Sequence, residues 1–423
     1  MPDSDAYAKS LLHFVKVKGV SLRERSLPHW DWVEERRRER VWPYEKALLG
    51  RVGGTVNGAD EFFEKCGEFV NFSSQDYLGL AGRAEMQESV VEAMRQYGVH
   101  SAGSPVLTGR NPLMASLEDK LCDRLGTEAC VIFPTGWAAG FGVLAGLVRE
   151  DDTVVLDSLS HNCLQEGARH ATRTVRKFPH NDELALREIL KEERNKNGKG
   201  GLFVVIESLY SMDSDSPDLK QMLAIARENE AIVIIDIAHD FGSMGKQGLG
   251  LLESLDLGGD RPDAIVGSFS KTFGTNGGFI ACDRIVRQYL AAYSPPHIFS
   301  NAISPMQSAV ALRAMDLAFS SEGDRLREQL HGNVLKLRNL FERSGAVVSG
   351  IPSPIVPVFV GEETLARRVS REIFNRGLLA NLVEFPAVPR GRARFRFQVM
   401  ATHGPQEIEQ AAGIMQASTE AAA

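Results

Sequence analysis

Cysteine and long apolar runs are both scarce in this chain of 423 residues. Its five cysteines are scattered, with no CxxC pair or other spacing typical of zinc ligands, so we expect reduced thiols and no metal site. No apolar run reaches the roughly 18 residues that a membrane span needs. The first five residues include two aspartates and no basic residue, where a secretory signal would be basic. These absences predict a cytoplasmic protein without a transmembrane segment.

The chain also lacks an excess of positive charge. Its 48 lysines and arginines face 55 aspartates and glutamates, which gives a formal net charge of −7. This balance provides no overall attraction to nucleic acid or anionic lipid. The composition is that of a globular protein, and the length allows two or three domains. We therefore expect small molecules as partners and no nucleic acid.

Three regions with different patterns follow one another along the chain. Residues 1–70 are charged and irregular and predict an N-terminal arm, in which the charge run 34–40 indicates a solvated helix face. In residues 71–300, short apolar runs at 129–133, 153–156, 202–206 and 232–235 alternate with helical patterns. Such runs are typical of a buried parallel sheet, so this part is predicted to be an α/β domain. Residues 301–423 predict a smaller α+β domain.

Parallel sheets bind ligands beyond the carboxyl ends of their strands, so the polar residues there are candidates for a site. After the run 129–133, Gly136 and Trp137 open a helix whose first backbone amides suit a phosphate. After the run 153–156, the ring of His161 could stack on a flat cofactor. Taken alone, the residues Gly136 and Trp137 are also explained by an ordinary helix start that binds no ligand. His161 alone is also explained by a hydrogen-bonding surface histidine.

A carboxylate follows each of the next two apolar runs: Glu207 comes after the run 202–206, and Asp236 comes after the run 232–235. At the end of such a run, the negative charge of Asp236 is costly unless a cation pairs with it. A protonated pyridine nitrogen would be such a partner, and Asp236 would keep it protonated. A helix N-cap is the alternative role for Asp236. The acid and hydroxyl groups between Glu207 and Asp213 could likewise be turn caps.

Lys271 has unusual neighbours for a lysine. It lies between Ser270 and Thr272, and a double glycine follows at Gly277 and Gly278. No GxxxxGK[ST] spacing precedes it, so the segment is not a P-loop. Desolvated lysines form Schiff bases, and enzymes that use pyridoxal 5'-phosphate (PLP) hold their cofactor in this way. The ordered set of phosphate turn, histidine, acid and lysine predicts PLP bound to Lys271.

With these residues the sequence resembles the α-oxoamine synthases, a group of fold-type I PLP-dependent transferases. The group includes 5-aminolevulinate synthase, 8-amino-7-oxononanoate synthase, 2-amino-3-ketobutyrate ligase and serine palmitoyltransferase. The matching segments are 71–80, 104–118, 180–182, 211–213, 236–250, 267–278, 299–305 and 389–396. The resemblance implies a large domain with a mostly parallel seven-stranded sheet, a smaller C-terminal domain, and a homodimer with shared active sites.

The resemblance also implies a role for each matched residue. Lys271 would bind PLP and later move the substrate Cα proton, with His239 and His161 completing the catalytic set. Arg396 would bind the substrate carboxylate, because a planar guanidinium can donate two parallel hydrogen bonds to that anion. At the cofactor phosphate, the resemblance implies Gly136, Trp137 and Ser270, with Ser300 or Asn301 of a second subunit. It implies Asp236 at the pyridine nitrogen, and Ser211 and His239 at the phenolic oxygen. His161 and Ala238 would lie on the ring faces.

The implied reaction is a decarboxylative Claisen condensation. An α-amino acid attacks an acyl thioester of coenzyme A or a carrier protein, giving an α-aminoketone, CO2 and free thiol. Another fold-type I PLP reaction, such as transamination or aldolase-type cleavage, could use the same Lys271, Asp236 and Arg396. A non-catalytic partner subunit is a further alternative, which the presence of Lys271, Asp236 and His239 disfavours.

Several positions depart from the pattern of the group. Gln75 stands where most members have an asparagine that helps hold the substrate carboxylate. Gly140 replaces another asparagine, and Asp240 replaces a serine. These changes lie at or near the expected pocket and leave the amino acid and the acyl chain open. They favour a synthase outside the housekeeping members.

Overall fold

The computed structural model describes residues 5–196, 200–255 and 261–423. They form two compact units. The larger unit comprises Gln75–Ser211 and Asp215–Glu328, and the smaller unit comprises Met1–Ser74, Met212–Ser214 and Gln329–Ala423. Residues before 75 thus share a unit with residues after 328. The three-part division at residues 70 and 300 stays a prediction.

A seven-stranded sheet forms the centre of the larger unit, in the order β4-β10-β9-β8-β7-β5-β6. The strands are β4 (Ala129–Phe133), β5 (Thr153–Asp157), β6 (Thr174–Phe178), β7 (Leu202–Glu207), β8 (Ile232–Asp236), β9 (Ala264–Ser268) and β10 (Gly278–Cys282). Strands β5 to β9 are parallel, and β10 runs antiparallel to both its neighbours. The predicted sheet, mostly parallel with seven strands, is therefore confirmed.

Helices connect these strands and cover the sheet. They are α3 (Ala84–Tyr97), α4 (Pro112–Leu125), α5 (Gly136–Leu147), α6 (Asn162–Ala171), α7 (Glu183–Lys196), α8 (Leu219–Glu228), a 3₁₀ turn (Gly250–Ser254), α9 (Arg284–Tyr293), α10 (Pro295–Ile298) and α11 (Pro305–Ala318). Helix α5 is apolar on all sides because it packs against α6, α9 and the sheet. This packing fixes the start of α5 beside the ends of the central strands.

The smaller unit has a six-stranded sheet in the order β1-β2-β3-β12-β13-β11. Its strands are β1 (Ala47–Leu48), β2 (Thr55–Ala59), β3 (Cys66–Phe72), β11 (Ile355–Gly361), β12 (Leu378–Val383) and β13 (Ala393–Gln398). Its helices are α1 (Asp5–Ala8), a 3₁₀ turn (Leu11–His13), α2 (Leu22–Arg38), α13 (Glu363–Asn375) and α14 (Pro405–Ala422), while α12 (Ser321–Arg343) spans the boundary between units. Only β3 and β12 pair in parallel in this sheet.

The helices in the described ranges include none with an apolar stretch long enough to cross a lipid bilayer. The cytoplasmic location stays a prediction.

The charge run on α2 is not wholly solvated, which corrects the prediction for residues 34–40. Arg36 is fully buried, and its guanidinium lies 3.4 Å from Glu384 and 4.1 Å from the centre of the Trp32 ring. Glu384 also pairs with the buried Arg367 at 2.7 Å. Burial lowers the pKa of Arg36 to about 10. The three charges fix α2 to α13 and the end of β12.

Replacing Glu384 by glutamine is expected to lower the free energy of unfolding by about 3–5 kcal/mol, because two buried arginines lose their negative partner. Urea unfolding followed by tryptophan fluorescence measures the change. Glu166→Gln is the control, because it breaks an exposed pair with Arg169 and should cost less than about 0.5 kcal/mol. Equal midpoints for the two variants would contradict the role of Glu384.

Candidate active site

A cavity of about 310 Å³ opens in the larger unit, where the ends of β8 and β9 meet the start of α5. Eight residues predicted from the sequence line it, namely Gly136, Trp137, His161, Asp236, Ala238, His239, Ser270 and Lys271. These residues come from four separate strand ends. The structure thus brings most of the predicted cofactor contacts into one cavity.

One end of the cavity suits a phosphate. The Thr135 hydroxyl accepts the backbone N–H of Ala138 at 3.0 Å, while the N–H groups of Gly136 and Trp137 have no acceptor within the helix. A side chain at Gly136 would collide with Ser268, since its Cβ would lie 2.6 Å from the Ser268 Oγ. Two amides at a helix N-terminus beside serine hydroxyls form a typical anion site.

Ser268 belongs to this end of the cavity, and the sequence reasoning missed it. Its Oγ lies 2.7 Å from the Oγ of Ser270, and it accepts the backbone N–H of Ser270 at 3.2 Å. The available signal was its position as the last residue of β9, facing the turn that opens α5. Ser268 therefore orients Ser270 and adds a second hydroxyl to the phosphate end.

Asp236 ends β8 and is buried, with one carboxylate oxygen accepting the backbone N–H of Ala238 at 2.9 Å. Burial raises its pKa, and the positive charge of Lys271 opposes that rise. Glu207 lies opposite Asp236 in the parallel ladder of β7 and β8. Burial and the Asp236 charge raise the pKa of Glu207 well above its usual range, so Glu207 is the member of the pair expected to be protonated.

This arrangement fits PLP. A buried ionised carboxylate at Asp236 needs a cation, and a protonated pyridine nitrogen provides one. The phosphate end of the cavity supplies amides and hydroxyls for the opposite side of the same molecule. The chemistry of the donor set thus matches both charged ends of the cofactor.

His239 follows Asp236 by three residues, and Tyr77 orients it. The Tyr77 hydroxyl lies 3.1 Å from Nδ1 of His239, and both side chains are buried. Tyr77 belongs to the segment 71–80 that matched the family. This contact restricts the rotation of the His239 imidazole.

His161 caps the N-terminus of α6. Its Nδ1 accepts the backbone N–H of Cys163 at 3.3 Å and lies 2.9 Å from the Cys163 sulfur. Its own backbone N–H donates to a carboxylate oxygen of Glu207. Cys163 and Glu207 both line the cavity, yet neither was among the predicted site residues.

Lys271 lies in the turn that joins β9 to β10. Phe269 and Phe273, on either side of it, are fully buried and hold the turn in place. Gly277 has a φ of +132°, and a side chain there would collide with Ile303 and Phe269. The backbone conformation and the close packing at position 277 therefore favour glycine.

Five predicted residues do not line this cavity, namely Gln75, Ser211, Ser300, Asn301 and Arg396. The Ser300 hydroxyl donates to the carbonyl of Pro296, and the Asn301 amide lies 3.3 Å from the His100 ring. Arg396 lies on β13 of the smaller unit, where a guanidinium nitrogen is 3.8 Å from the Met212 sulfur. The substrate-binding roles of Gln75 and Arg396 stay predictions.

The matched segment 180–182 forms a charge cluster at the end of β5. His180 lies 2.9 Å from Asp157 and 2.9 Å from Asp215. Burial alone would lower the pKa of His180, but hydrogen bonds to the two carboxylates outweigh it and raise the pKa to about 10. His180 is therefore an imidazolium at neutral pH.

His180→Gln is expected to destabilise the protein most below pH 6.5, because the stabilisation comes from a folded-state pKa above the unfolded value of about 6.5. That stabilisation falls as the pH rises towards 10. Urea unfolding of the wild type and the variant at pH 6, 8 and 9.5 measures the difference. A difference that stays constant with pH would exclude a charged His180.

Known proteins are similar to this chain over most of its length. The family model described as aminotransferase class I and II matches residues 67–414. The 8-amino-7-oxononanoate synthase of Trichlorobacter lovleyi is 36% identical over 340 residues, which cover 80% of this chain and 86% of that protein. The corresponding synthase of Geobacter sulfurreducens is 33% identical over 348 residues, covering 82% and 88%.

Solved structures lead to the same group. A serine palmitoyltransferase determined with PLP superposes with a TM-score of 0.88 at 25% identity, covering 95% of this chain and 99% of that one. The Sphingomonas wittichii serine palmitoyltransferase has the same TM-score and coverage at 24% identity, which shows the fold. The predictions of PLP and of a decarboxylative acyl transfer are thereby confirmed. The chain belongs to the aminotransferase class I and II family and, within it, to the α-oxoamine synthase group of PLP-dependent acyltransferases.

Proposed function

We propose that the cavity around Lys271 is the site where this chain condenses an α-amino acid with an acyl thioester, releasing CO2 and free thiol. The observation that carries the proposal is the meeting of Lys271, Asp236 and the anion-binding start of α5 in one cavity. The group to which the chain belongs carries out this class of reaction. The assignment of individual residues to its steps is our proposal.

PLP, when bound, supplies an electron sink for the carbanion at the substrate Cα. The Asp236 carboxylate, buried at the end of β8, would keep a proton on the pyridine nitrogen. Lys271 Nζ would attach the cofactor and would later take the substrate Cα proton. His161 and Ala238 would hold the ring, and His239, oriented by Tyr77, would hold the phenolic oxygen.

Arg396 is proposed to bind the substrate carboxylate, with Gln75 as a second contact. A guanidinium presents two parallel N–H groups to a carboxylate, which fixes both position and plane. Gln75 is one methylene longer than the asparagine found in most members of the group. We expect that length to change which amino acids are accepted.

A homodimer with shared active sites is part of the proposal. Ser300 or Asn301 of a second copy would add to the phosphate end of the cavity. Large apolar side chains are exposed in the single chain on two segments, with Phe299 beside Ser300 at 85% and Leu107 at 79%. The two segments are joined by the backbone hydrogen bond from Ala302 to Gly103. Exposed apolar surface of this kind is typical of a protein interface.

The test is a thiol-release assay on PLP-loaded protein. Amino acids are screened against short and long acyl-coenzyme A donors and against an acylated carrier protein. The proposal expects thiol release that depends on one amino acid and one class of donor. Amino-group transfer to an oxo acid without thiol release would instead establish transamination.

A further inference from the structure

We propose that Cys163 is a positioning residue for His161, holding the imidazole in the tautomer that carries its proton on Nε2. The inference rests on the proposed function, since it concerns the ring that covers the cofactor. It assigns a role to a thiol that the catalytic steps above do not use.

Cys163 is the second residue of α6 and is buried against α5. Its sulfur lies 2.9 Å from Nδ1 of His161, and its backbone N–H reaches the same nitrogen at 3.3 Å. Both groups of Cys163 thus converge on one ring nitrogen. The opposite side of the same turn is held by Glu207, which accepts the backbone N–H of His161.

The directions of these bonds determine where the ring proton lies. A backbone N–H can only donate, so Nδ1 of His161 is an acceptor. The thiol next to it must then be the donor in the S–H···N bond. Burial and the charge of Asp236 raise the pKa of Cys163, which keeps the sulfur protonated. A neutral imidazole with Nδ1 as acceptor carries its proton on Nε2.

Gly140 on α5 makes room for this arrangement. A Cβ at position 140 would overlap the Cys163 sulfur and would lie 3.3 Å from the Cys163 Cβ. Most members of the group have an asparagine at this position, and here it is a glycine. The departure at Gly140 and the thiol at Cys163 are therefore physically linked, because one side chain occupies the volume that the other would need.

Nitrogen-15 NMR of histidine-labelled, PLP-loaded protein tests the tautomer, with His161→Asn identifying the resonances. The wild type is expected to show Nδ1 unprotonated and Nε2 protonated. Cys163→Ala keeps the backbone donor at 3.3 Å but loses the thiol donor at 2.9 Å, so a fraction of the rings should change to the other tautomer and both resonances should shift partway. Cys163→Ser should restore the wild-type pattern because a hydroxyl also donates. Unchanged resonances in Cys163→Ala would overturn the proposal. So would a serine variant that resembles the alanine variant, because packing and not hydrogen bonding would then be responsible.

Gly140→Ala provides an independent test. The new methyl should displace the sulfur and reproduce the resonance shifts of Cys163→Ala. The matched control is Gly413→Ala on α14, where a Cβ meets nothing within 4 Å and the His161 signals should not move. Wild-type His161 signals in Gly140→Ala would contradict the link between the two positions.

Kinetics separate this inference from the proposed function. In the thiol-release assay, Cys163→Ala is expected to lower kcat/KM for the amino acid about fivefold to tenfold, as for the loss of one hydrogen bond, with most of the loss recovered by Cys163→Ser. Absence of thiol release by the wild type would refute the proposed function. The NMR tautomer would still decide the role of Cys163, because it requires no turnover.

Discussion

Lys271→Ala is expected to lower the rate of thiol release at least about 1,000-fold, which is the largest effect that we predict for a single substitution. The variant lacks the amine that we propose attaches PLP and takes the Cα proton, and a positioned acid or base alone contributes about 100- to 10,000-fold. Lys271 also contributes positive charge beside the buried Asp236. The measurement is kcat for thiol release at saturating PLP.

Lys246→Ala is the control for this change, since Lys246 is exposed and does not line the cavity. It should turn over at the wild-type rate. Circular dichroism of both variants establishes that they are folded. If Lys271→Ala retained more than a tenth of the wild-type rate, the assignment of Lys271 would be wrong.

Asp236→Asn is expected to lower kcat by about 100- to 1,000-fold, the range found when one preorganised electrostatic contact is removed. An amide cannot keep a proton on the pyridine nitrogen, so the electron sink is weakened. The variant should still bind PLP at Lys271. Titration with PLP followed by absorbance separates the loss of binding from the loss of turnover.

Asp240→Asn is a closely matched control. Asp240 is also a buried carboxylate, four residues away, but it does not line the cavity. It accepts bonds from Ser208 and from the backbone N–H of Leu251, each at 2.7 Å, and burial raises its pKa to about 7. A neutral amide should therefore replace it with little loss of kcat. Equal losses in the two variants would show that Asp236 acts through folding.

Much of the sheet and the cavity could be predicted because both depend on local patterns. The runs 153–156 and 232–235 are apolar throughout, as required of strands covered on both faces, and they form β5 and β8. Parallel strands place their carboxyl ends at one edge, so Asp236 and His161 were expected near each other. The prediction for Lys271 rests on the residues on both sides of it, and the structure places Lys271 in the cavity.

Other features depend on partners that are distant in sequence. Arg36 lies in a run that indicates a solvated face, and the carboxylate that permits its burial, Glu384, is 348 residues away. Cys163 and Ser268 are small residues whose importance arises from what packs against them, Gly140 and Gly136 respectively. No pattern within a single segment marks such pairs. The structure was needed to find them.

Borohydride reduction tests most directly whether Lys271 carries PLP. Reduction makes the bond between cofactor and amine permanent, and peptide mass mapping then locates it. We expect one phosphopyridoxyl group per chain, on the peptide that contains Lys271, with none in Lys271→Ala. A label on another lysine of the wild type, or no label after loading with PLP, would contradict it.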